Sequence, residues 1–343
     1  MLENDLVRYE FDKDLRLVSA FDKTAEFEFV SPAAPGNFLA LYDDHPSCYD
    51  AWDIEEYASD MQVGEPGDVA FTVSEGPVRS EIKATFRIGK SAFTQAISLD
   101  AGSKRLDFAT DADWQETHRL LRVAFPVAVR ADEASFEIQY GTLKRATHDN
   151  TKWQYAQFES CGHRYADLSD GDFGVALLND SKYGYRVKGS VLSMSLLRAP
   201  TAPDPFADKG AQRFTYSILP HEGALADGDD VAAAAAELNQ GVERFDGYAA
   251  TANSILPVAL EGEGVELAVL KKAEEGDGLV VRLVERRGRR ATGLLTTTIP
   301  NAKFTPCLAT ELGDTGPAIA APACLSFRPF EIKTFRIEVP LLL

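Results

Sequence analysis

Three stretches of this chain combine side chains that could hold a ligand rich in hydroxyl groups. Ser47-Cys48-Tyr49-Asp50-Ala51-Trp52-Asp53-Ile54-Glu55 sets Tyr49 and Trp52 among the carboxylates Asp50, Asp53 and Glu55. Aromatic faces suit the C–H side of a sugar ring, and carboxylates accept bonds from vicinal hydroxyls. Thr147-His148-Asp149-Asn150-Thr151-Lys152-Trp153 offers His148 and Asn150 just before an indole. Asp204-Pro205-Phe206-Ala207-Asp208-Lys209-Gly210 presents Lys209 behind Pro200, Pro203 and Pro205. Those prolines fix φ and remove backbone donors, so the loop is stiff and stays outside any sheet interior. Asp180, Lys182, Tyr183 and Tyr185 are further candidates for the same cleft. Each stretch also has a plainer account. Trp52 could plug a core, the Thr147 loop could merely cap its own backbone, and Asn179-Asp180 could only close a turn. Asp111 and Asp113 flank Trp114 and read as structural.

Other chemistries find little support. Cys48, Cys161, Cys307 and Cys324 have no C-x-x-C spacing and no nearby His pair, so zinc-site and redox-motif readings fail. His148-Asp149 mimics a metal-binding pair but has no second pair of ligands close in sequence. No metal or other cofactor is therefore expected in this chain.

Loops like these need rigid elements beneath them, and alternating apolar and polar residues supply the pattern. Strands are expected at 6–11, 26–29, 37–42, 69–73, 78–88, 93–99, 106–112, 120–129, 136–139 and 155–159. Residues 165–221 then read as three strands, at 173–178, 191–197 and 214–219. Short strands with Gly-rich turns between them indicate antiparallel sheets packed face to face. The alanine-rich run 231–238 is the one convincing helix, with Asp229 and Asp230 where the helix dipole favours negative charge. Strands resume at 265–271, 278–285, 293–298 and 326–338, with Glu275-Gly276-Asp277-Gly278 as a hairpin turn. The expected fold is all-β: a large sandwich over 1–236 and a small sandwich over 237–343.

With 343 residues, 45% hydrophobic and 26% charged, the chain has the composition of a globular protein with a sizeable core. A formal charge of −18 argues against nucleic acid or an anionic membrane surface as partner, since both need clustered Lys and Arg. No apolar run approaches the ~20 residues of a membrane span, and Pro340-Leu-Leu-Leu343 is far too short. The opening MLENDLVRYEF reads as a charged strand rather than a leader, which points to a cytoplasmic protein with reduced thiols.

The run ALLNDSKYGY, then G-x-V-L-x-x-S-L-L-R-x-P-T-x-P-D-P-x-A-D-x-G and F-x-Y-x-I-L-P-H, resembles the C-terminal β region of family 38 glycoside hydrolases, the α-mannosidases. The resemblance reaches outward through Asn37, Tyr49–Ile54, Asp113-Trp114, Val123–Val127, the Thr147–Trp153 loop, Glu237–Gln240 and Arg328–Ile332. It implies a galactose-mutarotase-like two-sheet sandwich followed by an immunoglobulin-like one. It also implies that the nucleophile, general acid and zinc ligands lie in an N-terminal catalytic barrel and helical segment with no counterpart in this sequence. This region would then pack against that catalytic domain. Tyr49, Asp50, Trp52, Asp53, His148, Asn150 and Lys209 would line one wall of a site for a mannose-containing oligosaccharide. Members of the family often carry Arg where Asp149 stands, and a basic or other long side chain near Lys209. The alternatives are a stand-alone sugar-binding or aldose-1-epimerase-like protein, or a purely structural β module. The five histidines show no neighbouring His–Glu arrangement of the epimerase kind.

Overall fold

The computed structural model describes residues 1–241 and 257–338. They form two compact units. The first comprises Met1–Glu137, Leu143–Leu225 and Asp230–Gly241; the second comprises Ile138–Thr142, Ala226–Asp229 and the described part of Val242–Leu343.

Period-two patterning decides the first unit. Arg79–Ile88 buries Ile82, Ala84, Phe86 and Ile88, and Leu106–Trp114 buries every second residue from Leu106 to Trp114. Alternate side chains of a strand point to opposite faces, so each strand offers one apolar face and one polar face. Asp111 and Asp113 consequently lie exposed on the far side of the strand from fully buried Trp114. Among the described residues the strands assemble into antiparallel sheets of nine, six and four. The nine-stranded and six-stranded sheets enclose one core. Phe108 of the first sheet lies 5.9 Å from Phe125 of the second, and Tyr216 stacks on Phe108 at 4.8 Å. Full burial of each such side chain contributes roughly 1.5–3 kcal/mol.

Within 165–221 there are five strands, not three. Tyr165–Ser169 and Gly184–Lys188 join Phe173–Asn179, Val191–Arg198 and Gly210–Glu222. Gly184–Lys188 was obscured because its outward positions are Arg186 and Lys188, leaving only Tyr185 and Val187 as apolar marks. Residues 155–159 form no strand. Instead a short helix, α1, spans Lys152–Tyr155, because Thr151 and Gln154 close a capping box around its first turn. The alanine-rich helix, α2, spans Asp230–Asn239 and buries Val231 and Ala235 against Tyr165, Leu178 and Leu219.

The second unit holds a three-stranded and a five-stranded sheet among the described residues, around Leu283, Leu295, Phe304, Phe327 and Phe335. The single strand expected at 326–338 is two strands, Ala323–Phe327 and Ile332–Ile337, in different sheets. Pro329 interrupts the ladder, and Phe330 turns the chain with φ +57°. Buried Glu285 steadies this corner by accepting the amides of Arg287, Gly288 and Phe330 at 2.8–3.0 Å. Among the described residues no helix is long and apolar enough to cross a membrane. Residues Pro340–Leu343 lie outside the described part.

Candidate functional site

The candidate loops leave the six-stranded sheet together because its central strands end in register. Arg119 pairs with Asp43 and Leu120 with Arg198, which brings the segments after Asp43 and after Arg198 to one end of the sheet. A buried ion pair ties them at the root. Arg198 donates from Nε and Nη2 to the Asp44 carboxylate at 2.5 and 3.0 Å, and Nη2 also donates to the Asp53 carbonyl. Higher up, Asp50 Oδ2 accepts the amides of Thr201 at 2.5 Å and Ala202 at 3.0 Å. Thr201 Oγ1 lies 3.1 Å from both Asp50 Oδ2 and His118 Nε2. Burial alone would raise the Asp50 carboxyl, but the Thr201 and Ala202 donors and the nearby His118 outweigh it and hold it below the usual range. Ser47 closes the near side of the loop by donating its amide and hydroxyl to Glu55.

Pinned in this way, the loop displays its aromatics. Tyr49 and Trp52 stack with ring centroids 6.0 Å apart, and they are 66% and 81% exposed. Trp52 therefore plugs no core. The backbone at Tyr49 sits at φ +55°, a conformation costly for a residue with a Cβ and held here by the surrounding bonds. Asp53 and Lys209 are exposed as well. Asp50 is a correction to the reading of it as a sugar acceptor. Its side chain is only 14% exposed and its oxygens face protein, so it fastens the loop from behind.

A third segment adjoins these two. The Tyr155 hydroxyl meets the Glu56 carboxylate, which links α1 to the stretch following Trp52. Lys188 holds the other side of α1, pairing with Asp149 and donating to the Gln154 carbonyl at 3.2 Å. Trp153 projects from this braced turn with 86% exposure. Asn150 is exposed beside it, whereas His148 is half-buried and its Nδ1 lacks a partner among the described residues. Four residues past the end of α1, Glu159 is held by buried Arg122 and by the Ser195 hydroxyl.

The remaining candidates separate. Tyr185 is fully buried, with its hydroxyl against Asn179, so it lines no cleft. Asp180 accepts the Thr215 amide, and Asn179 caps the amides of Ser181 and Lys182. Lys182 lies over the Phe214 ring. Tyr183 remains exposed. The residues that sequence reasoning missed are the fasteners: Asp44, His118, Arg198 and Thr201. Only Arg198 carried a signal, as the charge ending an apolar strand just before the prolines. Among the described residues no group of three His, Cys, Asp or Glu could hold a metal ion.

Residues 2–206 match the glycosyl hydrolases family 38 C-terminal domain, and residues 264–335 match the family 38 C-terminal beta sandwich domain. The chain belongs to glycoside hydrolase family 38, as its C-terminal region. It is 36% identical over 342 residues to alpha-mannosidase 2C1 of Homo sapiens, an alignment covering 96% of this chain and 33% of that protein. It is 32% identical to alpha-mannosidase G of Dictyostelium discoideum, over 98% of this chain and 32% of the relative. The chain thus spans about a third of the length of the curated relatives it matches. Among solved structures, a family 38 protein from Enterococcus faecalis superposes with a TM-score of 0.76 at 17% identity, over 98% of this chain and 44% of the other. That likeness concerns the fold.

Proposed function

We propose that this chain is the accessory C-terminal β region of an α-mannosidase and forms one wall of that enzyme's sugar site. The observation that carries the proposal is the loop bearing Tyr49 and Trp52. Its backbone is bound to a second loop through Asp50 and to the sheet through Arg198, yet its two rings face solvent. Rigid, exposed aromatics bind a sugar face with little ordering cost. Tyr49 and Trp52 supply that face, Asp53 and Lys209 supply hydrogen bonds, and Asp50 holds them from behind. His148 and Asn150 complete the wall from the α1 side. The nucleophile, general acid and zinc belong to a catalytic domain outside this chain, which is its first partner; the second is a mannose-containing oligosaccharide. The donor set here does not suit zinc, since Asp149, beside His148, is paired with Lys188. Four free thiols, three of them exposed, suit a cytoplasmic setting.

A wall without its opposite side binds weakly, with a dissociation constant near millimolar or worse, about 4 kcal/mol. The test uses a longer family member carrying the changes equivalent to Trp52→Ala and Lys209→Ala. Each should lower kcat/KM at least several-fold while circular dichroism stays unchanged. Unaltered kinetics in both variants overturns the proposal.

A further inference from the structure

The contact between His118 and the Tyr49–Trp52 loop has an unusual chemistry. His118 Nδ1 and Asp50 Oδ1 lie 3.5 Å apart, just beyond hydrogen-bond length, and both are buried with no other partner among the described residues. Two acceptors left facing each other away from water are costly, whereas one proton between them satisfies both. His118 itself occupies φ +51°, so the two sides of this contact, at His118 and beside Asp50 at Tyr49, both keep left-handed backbone. Such strain persists only where the surroundings over-determine it. The ring is also fixed on its flanks. His45 stacks on it at 4.4 Å, His45 Nδ1 bonds Asp43 at 3.0 Å, and Arg119 bridges Asp43 to the His118 carbonyl. The His118 amide donates to the Ala199 carbonyl at 2.8 Å, tying the residue to the start of the proline loop.

We propose that His118 is a positioning residue whose Nδ1 carries a proton in both of its charge states and lends it to Asp50 Oδ1. The bond locks the loop that bears Tyr49 and Trp52. The protons balance in each state. With neutral imidazole, Nδ1–H faces Asp50 and the Thr201 hydroxyl donates to bare Nε2. With imidazolium, Nε2–H donates to Thr201 Oγ1, and the hydroxyl proton turns to Asp50 Oδ2. Closing the 3.5 Å gap needs a shift of about half an ångström. Asp50, His118 and Thr201 do lie in the acid, base and hydroxyl order of a nucleophilic triad. The Thr201 and Ala202 amides that would have to hold an oxyanion are instead bound to Asp50 Oδ2, so the arrangement holds a loop rather than attacking a carbonyl. The lock stands on this geometry; its bearing on sugar rests on the function proposed above.

The test is nitrogen NMR of the intact chain with 15N-labelled histidine between pH 5 and 8, where imidazoles change charge. The His118 signals are assigned by their loss in His118→Asn. Nδ1 should be protonated throughout. In Asp50→Asn the new amide can donate to Nδ1, so the neutral ring should switch to the Nε2–H tautomer. A packing role alone would not move the tautomer. His118→Asn tolerates the positive φ, and with an unchanged circular dichroism spectrum it should be cleaved within residues 44–61 on the order of tenfold faster by protease. A neutral wild-type ring with bare Nδ1, a tautomer unmoved by Asp50→Asn, or unchanged cleavage overturns the lock. The kinetics of the longer family member carrying the Trp52→Ala and Lys209→Ala equivalents separate the two ideas. Unaltered kinetics there with the expected tautomer here overturns the sugar reading and upholds the lock.

Discussion

Removing Arg198 should unsettle the root of the site far more than a surface charge would. The Asp44 side chain is 1% exposed and that of Arg198 is 16% exposed, and they share two charge-assisted bonds at 2.5 and 3.0 Å. In Arg198→Met the side-chain stem is kept while Asp44 is left buried without its partner. Breaking a buried pair on one side costs about 3–5 kcal/mol, most of it the desolvation of the orphaned charge. Asp44→Leu should cost a similar amount. The double variant, with apolar groups on both sides, should return to within about 1–2 kcal/mol of wild type, giving a coupling of at least 2 kcal/mol between contacting residues. Urea unfolding followed by tryptophan emission reads this directly. Trp114 is fully buried and donates Nε1 to the Arg198 carbonyl at 3.0 Å, whereas Trp52 and Trp153 are already exposed and change little. The midpoint should fall with an unchanged m-value. Single losses below about 1 kcal/mol, or a double variant that simply adds the two, would refute the reasoning.

Two further outcomes concern buried polar groups away from the site. Burial alone would lower the His221 pKa, but the hydrogen bond at 2.7 Å and the charge of buried Asp167, with help from the Glu222 carbonyl and Asp230, raise it above 6.5. A raised folded-state value stabilises fully below the ordinary imidazole value and is lost as pH rises through the raised one. Wild-type stability should therefore decline from about pH 6.5 upward, and His221→Gln should flatten that slope in urea titrations at stepped pH. In the second unit, Glu285→Ala strips three amides of a buried carboxylate and should cost about 3 kcal/mol or more, while Glu285→Gln should cost less; differential scanning calorimetry distinguishes them.

What could be read from the sequence follows the range over which its forces act. Burial patterning acts locally and at a fixed period, so strands such as Arg79–Ile88 and Leu106–Trp114 declare themselves within ten residues. Where the outward face carries long cations, as in Gly184–Lys188, or a turn residue sits inside an apolar run, as Phe330 does, the same signal is masked. Short capped turns are decided by single hydrogen bonds, so Thr151 and Gln154 could convert an expected strand into α1.

The site divides along the same line. Tyr49, Trp52 and Lys209 could be named as candidates because an aromatic pair among carboxylates and a proline-stiffened loop are local features; that the rings face solvent was not legible, since Trp52 could equally have filled a core. The groups that hold them come from distances no pattern spans: Asp50 meets Thr201 across 151 positions, Arg198 meets Asp44 across 154, and Tyr155 meets Glu56 across 99. The first joins two loops, the second joins a loop to the end of a strand, and the third joins α1 to the turn at Glu56; none is made by apolar packing. The sandwich therefore sets where the loops emerge, and these few polar contacts set where the rings point. A change at Asp44, His118 or Thr201 can then move the Tyr49 and Trp52 rings from a distance, with little trace in the strand content. At His118 and Thr201 the change should appear as displaced or mobile Tyr49 and Trp52 before it appears as lost stability, whereas at buried Asp44 the two should come together.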